Sequence, residues 1–193
     1  MTELSRRERK KLETREKLFS SAMQLFCRQG FQETSIEQIT QHADLGKGTF
    51  YNYFPSKESV VLEFSRRSYD NILASRSKGR FFSVRGRLQE LLADWADFLI
   101  QYKELAWVAL RNREGSEFET SLRYGLQAII TLGQREGEVS CEFDPIFLAE
   151  TLEGMVIQHF LSWFVSGEGD LHKEMNDVIS VLLDGLSERR KQA

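Results

Sequence analysis

Proline and cysteine are scarce in this chain of 193 residues, at two each, and there are three histidines. Pro55 and Pro145 both lie beside expected helix starts, so nothing obliges a long helix to break. Cys27 and Cys141 form no CxxC pair. They sit within apolar helical patterns and read as buried free thiols of a reducing compartment. His42, His159 and His172 are scattered, with no HExxH, no metal-ligand spacing and no nucleophile motif nearby, so neither a metal, a cofactor nor catalysis is expected. Long apolar runs are missing too. The longest, Met155 to Val165, is interrupted by Gln158, His159 and Ser162 and falls short of the roughly 20 residues that span a bilayer. Arg6, Arg7, Arg9, Lys10 and Lys11 open the chain without an apolar stretch behind them, which argues against a signal peptide and for a cytoplasmic protein. Strand alternation, internal repeats and low-complexity segments are also lacking.

What is present is helical patterning from end to end, with 41% hydrophobic residues to build a core. The charge is uneven. Residues 1–80 carry a net +5 and residues 81–193 a net −8, within an overall −3. A basic end on an acidic body fits contact with a polyanion, although a split of this size also arises by chance.

Leu18, Phe19, Ala22, Met23, Leu25 and Phe26 give a first helix its apolar face, and Gly30 ends it. Thr34-Ser35-Ile36-Glu37 reads as a capping box with Thr34 as N-cap, opening a short helix that turns Ile36 and Ile39 inward. Ala43-Asp44-Leu45-Gly46 is a turn. A third short helix runs from Lys47 to about Phe54, stopped by Pro55, and Ser56 caps a fourth to about Ser77. Three short helices with a tight turn between the second and third resemble a helix-turn-helix, a motif whose third helix enters the DNA major groove N-terminus first. Gly48 permits close approach there, Lys47 and Thr49 offer donors to bases or phosphates, and Phe50 and Phe54 anchor the opposite face. Tyr51, Asn52 and Tyr53 point partly outward.

The run Thr34-x-Ile36-x-x-Ile39-x-x-x-Ala43-x-Leu45-x-Lys47-Gly48-Thr49-Phe50-Tyr51-Asn52-Tyr53-Phe54-x-x-Lys57-Glu58 resembles the signature of the tetracycline-repressor (TetR) family over about residues 12–72, with the motif itself at about 35–54. The resemblance implies that Lys47, Gly48 and Asn52 face base edges, and that Thr34, Tyr51, Tyr53 and Lys57 hold phosphates. Asn pairing with adenine and Lys with guanine agree with this. Two positions depart from the family pattern. Asp44 stands where Gly is frequent, and Asp tolerates the left-handed conformation. Gly46 stands where Ser is frequent, a weaker N-cap by a few tenths of a kcal/mol and one that lacks a hydroxyl for phosphate.

The rest of the chain, about residues 80–190, reads as an all-α body joined near Gly79–Arg87, for about nine helices in total. Leu88, Leu91, Leu92, Trp95, Phe98 and Leu99 mark one amphipathic helix. Others cover Glu104–Arg113, a stretch opened by a capping box at Ser116–Glu119 and closed near Gly137, a helix started by Asp144-Pro145, and one capped by Asp170 with an apolar face from Leu171 to Leu186. Resemblance implies a homodimer through the last two helices. The helix from Pro145 to Val165 supports it, being apolar on nearly all sides late in its course. Trp95, Phe98, Tyr102, Trp107, Phe118, Met155, His159 and Trp163 are the candidates for a pocket taking a small hydrophobic or aromatic effector; an ordinary core uses the same residues. The implied function is a repressor released by that effector from a palindromic operator on double-stranded DNA. The alternative is a dimeric DNA-binding regulator without an effector.

Overall fold

Ser5 starts the first helix. Its hydroxyl accepts the Glu8 N–H at 3.2 Å while the Glu8 carboxylate accepts the Ser5 N–H at 2.8 Å, a reciprocal cap that the sequence spells as Ser-x-x-Glu. The computed structural model describes residues 5–75, 83–112 and 121–185, and among them the chain forms nine helices and no strand. They are α1 (Arg6–Gln29), α2 (Ile36–His42), α3 (Lys47–Tyr51), α4 (Lys57–Ser75), α5 (Val84–Gln101), α6 (Lys103–Arg111), α7 (Ser121–Glu136), α8 (Pro145–Ser166) and α9 (Leu171–Asp184). The all-α architecture expected from periodicity is the one observed. The expected capping box at Ser116–Glu119, residues 79–82 of the expected joint with Phe81 and Phe82 among them, and Arg113, Phe118 and Leu186 lie outside the described residues.

Local signals place most boundaries. Gly30 closes α1 at φ 87°, a conformation that favours glycine. The Asp144 carboxylate caps α8 by accepting the Ile146 N–H at 2.7 Å, with Pro145 in the first turn. Asp170 caps α9 by accepting the N–H groups of His172 and Lys173. One cap differs from expectation. The N-cap of α2 is Ser35, paired reciprocally with Gln38, not Thr34 with Glu37. Thr34 is sealed from solvent because its hydroxyl donates to the Gly30 carbonyl at 2.7 Å. Helix α3 is also shorter than the expected Lys47–Phe54; beyond Tyr51 the chain continues as a turn in which the N–H groups of Tyr53 and Phe54 both donate to the Phe50 carbonyl at 2.9 Å.

Two hydrophobic cores result. The first joins Leu18, Ala22, Phe26 and Phe31 to Ile39, Phe50, Phe54, Val60 and Val61, and it also takes in Leu105, Val108 and Ala109 of α6. The second is built from α5, α7, α8 and α9 around Trp95, Leu126, Leu152, Phe160 and Met175. Phe64 of α4 and Tyr102 pack against both. The chain passes from head to body through α4, which follows the helix-turn-helix directly. The structure shows that α6 is a second connection, with Leu105, Val108 and Ala109 in the head and Ala106 and Leu110 in the body. Both cysteines, expected to be buried, are exposed: Cys27 lies on the outward face of α1 and Cys141 in the turn before α8.

Candidate functional site

The turn between α2 and α3 is tight because the α2 end is folded back on itself. The N–H of Leu45 donates to the Thr40 carbonyl at 2.9 Å and that of Asp44 to Gln41 at 3.1 Å. Asp44 takes φ 50°, the left-handed conformation expected of it. Gly46 is the N-cap of α3 without a side-chain bond, and its carbonyl accepts the Thr49 N–H at 2.9 Å.

Phe50 and Phe54 are sealed in the head core with their rings 5.8 Å apart, and this fixes which side of α3 looks out. Lys47, Gly48, Tyr51 and Asn52 are exposed on that side, with Thr49 half-buried between them. Nothing lies within 4 Å of where a Gly48 side chain would begin, so a ligand backbone can come close there. The Lys47 ammonium is paired with the Glu37 carboxylate of α2. That hydrogen bond holds the Glu37 carboxyl below its ordinary range and raises the Lys47 ammonium above its own. Tyr51 stands edge-on to Phe50, and Tyr53 is half-buried against the head core.

Two of the expected phosphate-binding residues have other duties. Thr34 is buried, as described. The Lys57 ammonium donates to the carbonyls of Phe31 and Thr34 at 2.8 and 2.6 Å and lies 4.4 Å above the Phe31 ring. Two of its three protons are engaged on backbone and the ammonium rests on an aromatic face, so Lys57 fastens α4 to the α1–α2 turn. Ser35, Ile36 and Glu37 at the start of α2, Lys57 and Glu58 at the start of α4, and Tyr51, Pro55 and Ser56 line an open groove of about 310 Å3. Two helix N-termini opening onto one groove favour an anion there.

In the body, the effector candidates fall into one aromatic chain. Tyr69 of α4 stacks on Trp95 at 6.5 Å, Trp95 meets Phe160 at 6.3 Å, and Phe160 meets Trp163 and Phe164 at 6.1 and 6.0 Å. Trp107 stacks on Phe164 at 4.7 Å, nearly parallel. Phe98 contacts Tyr69 and Tyr102, each at 5.5 Å. Met155 is half-buried against this core. His159 stands apart from it in function, with Nδ1 at 2.9 Å from the Glu174 carboxylate, tying α8 to α9.

Sequence reading passed over the polar members of this region. Glu153 is buried on α8 and pairs with Arg123 of α7 at 2.7 Å, and the buried Tyr69 hydroxyl is pushed far up by loss of solvent, with the nearby Glu153 charge adding to the rise. The Trp95 indole N–H is buried beside that hydroxyl and partly offsets the rise. Ser65 and Tyr69, four apart and set among Arg66, Arg67, Ser68 and Asp70, gave no sign that this face of α4 would be buried.

Comparisons with known proteins bear on the family and the fold. The family described as bacterial regulatory proteins, tetR family, matches residues 18–64, which run from the head core into α4. The HTH-type transcriptional regulator TcmR of Streptomyces glaucescens is 41% identical over 185 residues, covering 86% of this chain and 79% of its own. The chain belongs to the TetR family. It is a DNA-binding transcriptional regulator, and its relatives are regulators rather than enzymes. Among solved structures, Thermus thermophilus FadR, a TetR-family repressor in complex with lauroyl-CoA, superposes with a TM-score of 0.78 at 26% identity, covering 93% of this chain and 98% of that one. Bacillus subtilis FadR in complex with stearoyl-CoA shares the fold, with a TM-score of 0.71 at 18% identity over 89% and 99% of the two chains. Among the described residues no helix is long and apolar enough to cross a membrane.

Proposed function

We propose that this protein is a homodimeric repressor that binds a palindromic operator through α3 and is released by a small hydrophobic or aromatic ligand. The carrying observation is the exposed face of α3, where Lys47, Gly48, Thr49 and Asn52 face outward because Phe50 and Phe54 are locked inward. In this reading Lys47, Gly48, Thr49 and Asn52 meet base edges, while Tyr51, Tyr53 and the groove at the starts of α2 and α4 take phosphates. Lys57 lines that groove and is fastened there by the carbonyls of Phe31 and Thr34.

Dimerisation through α8 and α9 is supported by the outer face of α8. Phe147 and Val165 are 55% and 75% exposed, and between them Gly154 has open space where a side chain would begin, which lets a second helix approach closely. Two-fold symmetry then calls for half-sites about 34 Å apart or a multiple of one DNA turn. The effector reading rests on the aromatic chain from Tyr69 to Trp107 and on the acyl-CoA ligands of the two FadR proteins. Trp95 at 1% exposure and the close Trp107–Phe164 stack favour the second reading, a DNA-binding dimer without an effector, since these rings fill one another's space.

The experiment is selection of duplexes from a random pool, followed by affinity across a salt series with and without lauroyl-CoA. Sequence-specific binding that weakens steeply with salt and is relieved by the ligand is expected. Equal affinity for selected and random duplexes overturns the operator reading; tight lauroyl-CoA binding that leaves DNA affinity unchanged overturns the release mechanism, because a ligand shifts only an equilibrium whose states it binds differently.

A further inference from the structure

The six residues between α1 and α2 carry the recognition unit, and three helices hold them. Helix α1 supplies the Gly30 closure, with its N–H on the Phe26 carbonyl at 3.0 Å. Helix α4 supplies Lys57, bound to the carbonyls of Phe31 and Thr34. The third hold comes from the body. Glu104, in the first turn of α6, accepts the Phe31 N–H on Oε2 at 3.4 Å, and both of its carboxylate oxygens lie against Gly30, 3.5 and 3.9 Å from where a side chain would begin. Phe31 itself is buried against Phe26, so its backbone cannot turn aside to find water without moving the ring.

Apolar contact alone does not close this seam. Beside Glu104 a cleft of about 390 Å3 opens between Phe26 and Cys27 of α1 and Gln101, Tyr102, Lys103 and Leu105 of the α5–α6 corner. Leu105, Val108 and Ala109 give α6 a greasy bearing in the head, and such contacts resist separation but tolerate small rotations. A hydrogen bond to one backbone N–H has a direction and a length, and so removes that freedom.

We propose that Glu104 is a positioning residue for operator recognition: by accepting the Phe31 N–H it fixes the angle at which the helix-turn-helix head sits on the body, and so where the two α3 helices of a dimer stand relative to successive major grooves. Glu104 touches no DNA. Without the clasp the head samples several angles, only some of which match both half-sites, and apparent affinity falls by the fraction of competent conformers.

The proposal rests on the reading of the chain as an operator-binding dimer, and the test separates the two. Full-length protein carrying Cys27→Ser, Cys141→Ser and Gln41→Cys is spin-labelled on α2, and label-to-label distances in the dimer are measured beside affinity for the selected duplex. Glu104→Ala and Glu104→Asp, the latter keeping the charge but losing one methylene of reach, are compared with Glu104→Gln, whose amide oxygen still accepts the N–H. Both Glu104→Ala and Glu104→Asp are expected to broaden the distance distribution and to weaken operator binding roughly five- to tenfold at an unchanged salt slope. Glu104→Gln is expected to restore a narrow distribution and near-parental affinity. A narrow distribution in Glu104→Ala or Glu104→Asp overturns the proposal, as does a Glu104→Gln protein as loose as Glu104→Ala. If no duplex is selected at all, the operator reading fails, while the distances still decide whether Glu104 sets the head.

Discussion

The guanidinium of Arg15 and the carboxylate of Glu63 meet side by side, Nη1 to Oε1 at 2.9 Å and Nη2 to Oε2 at 3.2 Å, joining α1 to α4. Arg67 adds a bond from Nε to Glu63 at 2.8 Å and one from Nη1 to Glu16, and Arg66 reaches the same Glu63 at 3.3 Å. Arg15 and Arg67 also cover the rings of Phe54 and Phe19, at 4.9 and 4.1 Å. The head and the first half of α4 are thereby one rigid piece.

This network makes stability fall in acid. The bond from Arg15, joined by Arg67 and Arg66, outweighs partial burial and lowers the Glu63 carboxyl from 4.5 to about 2. Since the folded value lies below the unfolded one, the stabilisation is complete above pH 4.5 and is lost as pH falls toward 2. Glu63→Gln is expected to cost about 2–3 kcal/mol at neutral pH and to flatten the acid limb of the stability curve. Urea unfolding across pH 2–7 checks it; an unchanged acid limb would refute this assignment.

Glu37 restrains Lys47 at the start of α3. Removing the charge by Glu37→Gln is expected to release the ammonium, tighten binding to every duplex and steepen the salt dependence by about one counterion. Affinity measured between low and high salt for selected and random duplexes shows it. A loss of affinity would mean that the pair holds Lys47 in its working pose.

Asn52 and Lys57 should differ in kind. Asn52→Ala is expected to cost about 1–3 kcal/mol of binding and to relax preference at one base pair. Lys57→Met is expected to lower the thermal midpoint by loosening the α1–α2 turn, while leaving the salt slope as it was. A salt slope shallower by about one in Lys57→Met would show that the ammonium reaches phosphate after all.

Gly133 and Gly125 of α7 mark close approaches of unequal tolerance. A side chain at Gly133 would begin 2.2 Å from Cγ2 of Val84 and 2.9 Å from that of Val139, both short and branched. At Gly125 it would begin 2.6 Å from Cδ2 of Leu73, the far end of a side chain that can rotate. Gly133→Ala is therefore expected to destabilise by about 1–3 kcal/mol despite better helix propensity, and Gly125→Ala by less. Val84→Ala in the same chain should recover part of the Gly133→Ala loss in denaturant unfolding; additive losses would place the strain elsewhere.

Much of this was legible because its causes are local. Gly30, Asp144-Pro145 and Asp170 act through their own backbone neighbours, and a run such as Lys47 to Phe54 carries its burial pattern within two turns. What the sequence misjudged involves distant partners. Thr34-x-x-Glu37 and Ser35-x-x-Gln38 are both valid caps, and the choice falls to Ser35 because Thr34 turns inward to the Gly30 carbonyl. Lys57 looks like any exposed lysine at a helix start until the carbonyls of Phe31 and Thr34 arrive beside it from 26 and 23 positions away. Cys27 follows two buried residues, yet the helix turns it outward. The Ser5-x-x-Glu8 cap was readable and would have placed the true start of α1. Glu104 gave no sign at all, since a first-turn acid is ordinary in any helix.

Because Leu105, Val108 and Ala109 complete the core of the head, the boundary that the chain order suggests near residue 75 is not the boundary that the side chains respect. A chimera made by grafting residues 1–75 onto another regulator's body would inherit a raw apolar scar wherever the new sixth helix failed to fit. Exchange of heads between such regulators should therefore succeed when the cut is made in two pieces, moving the first four helices together with the inner face of the sixth, and should give sticky, poorly folded products when only the N-terminal segment travels.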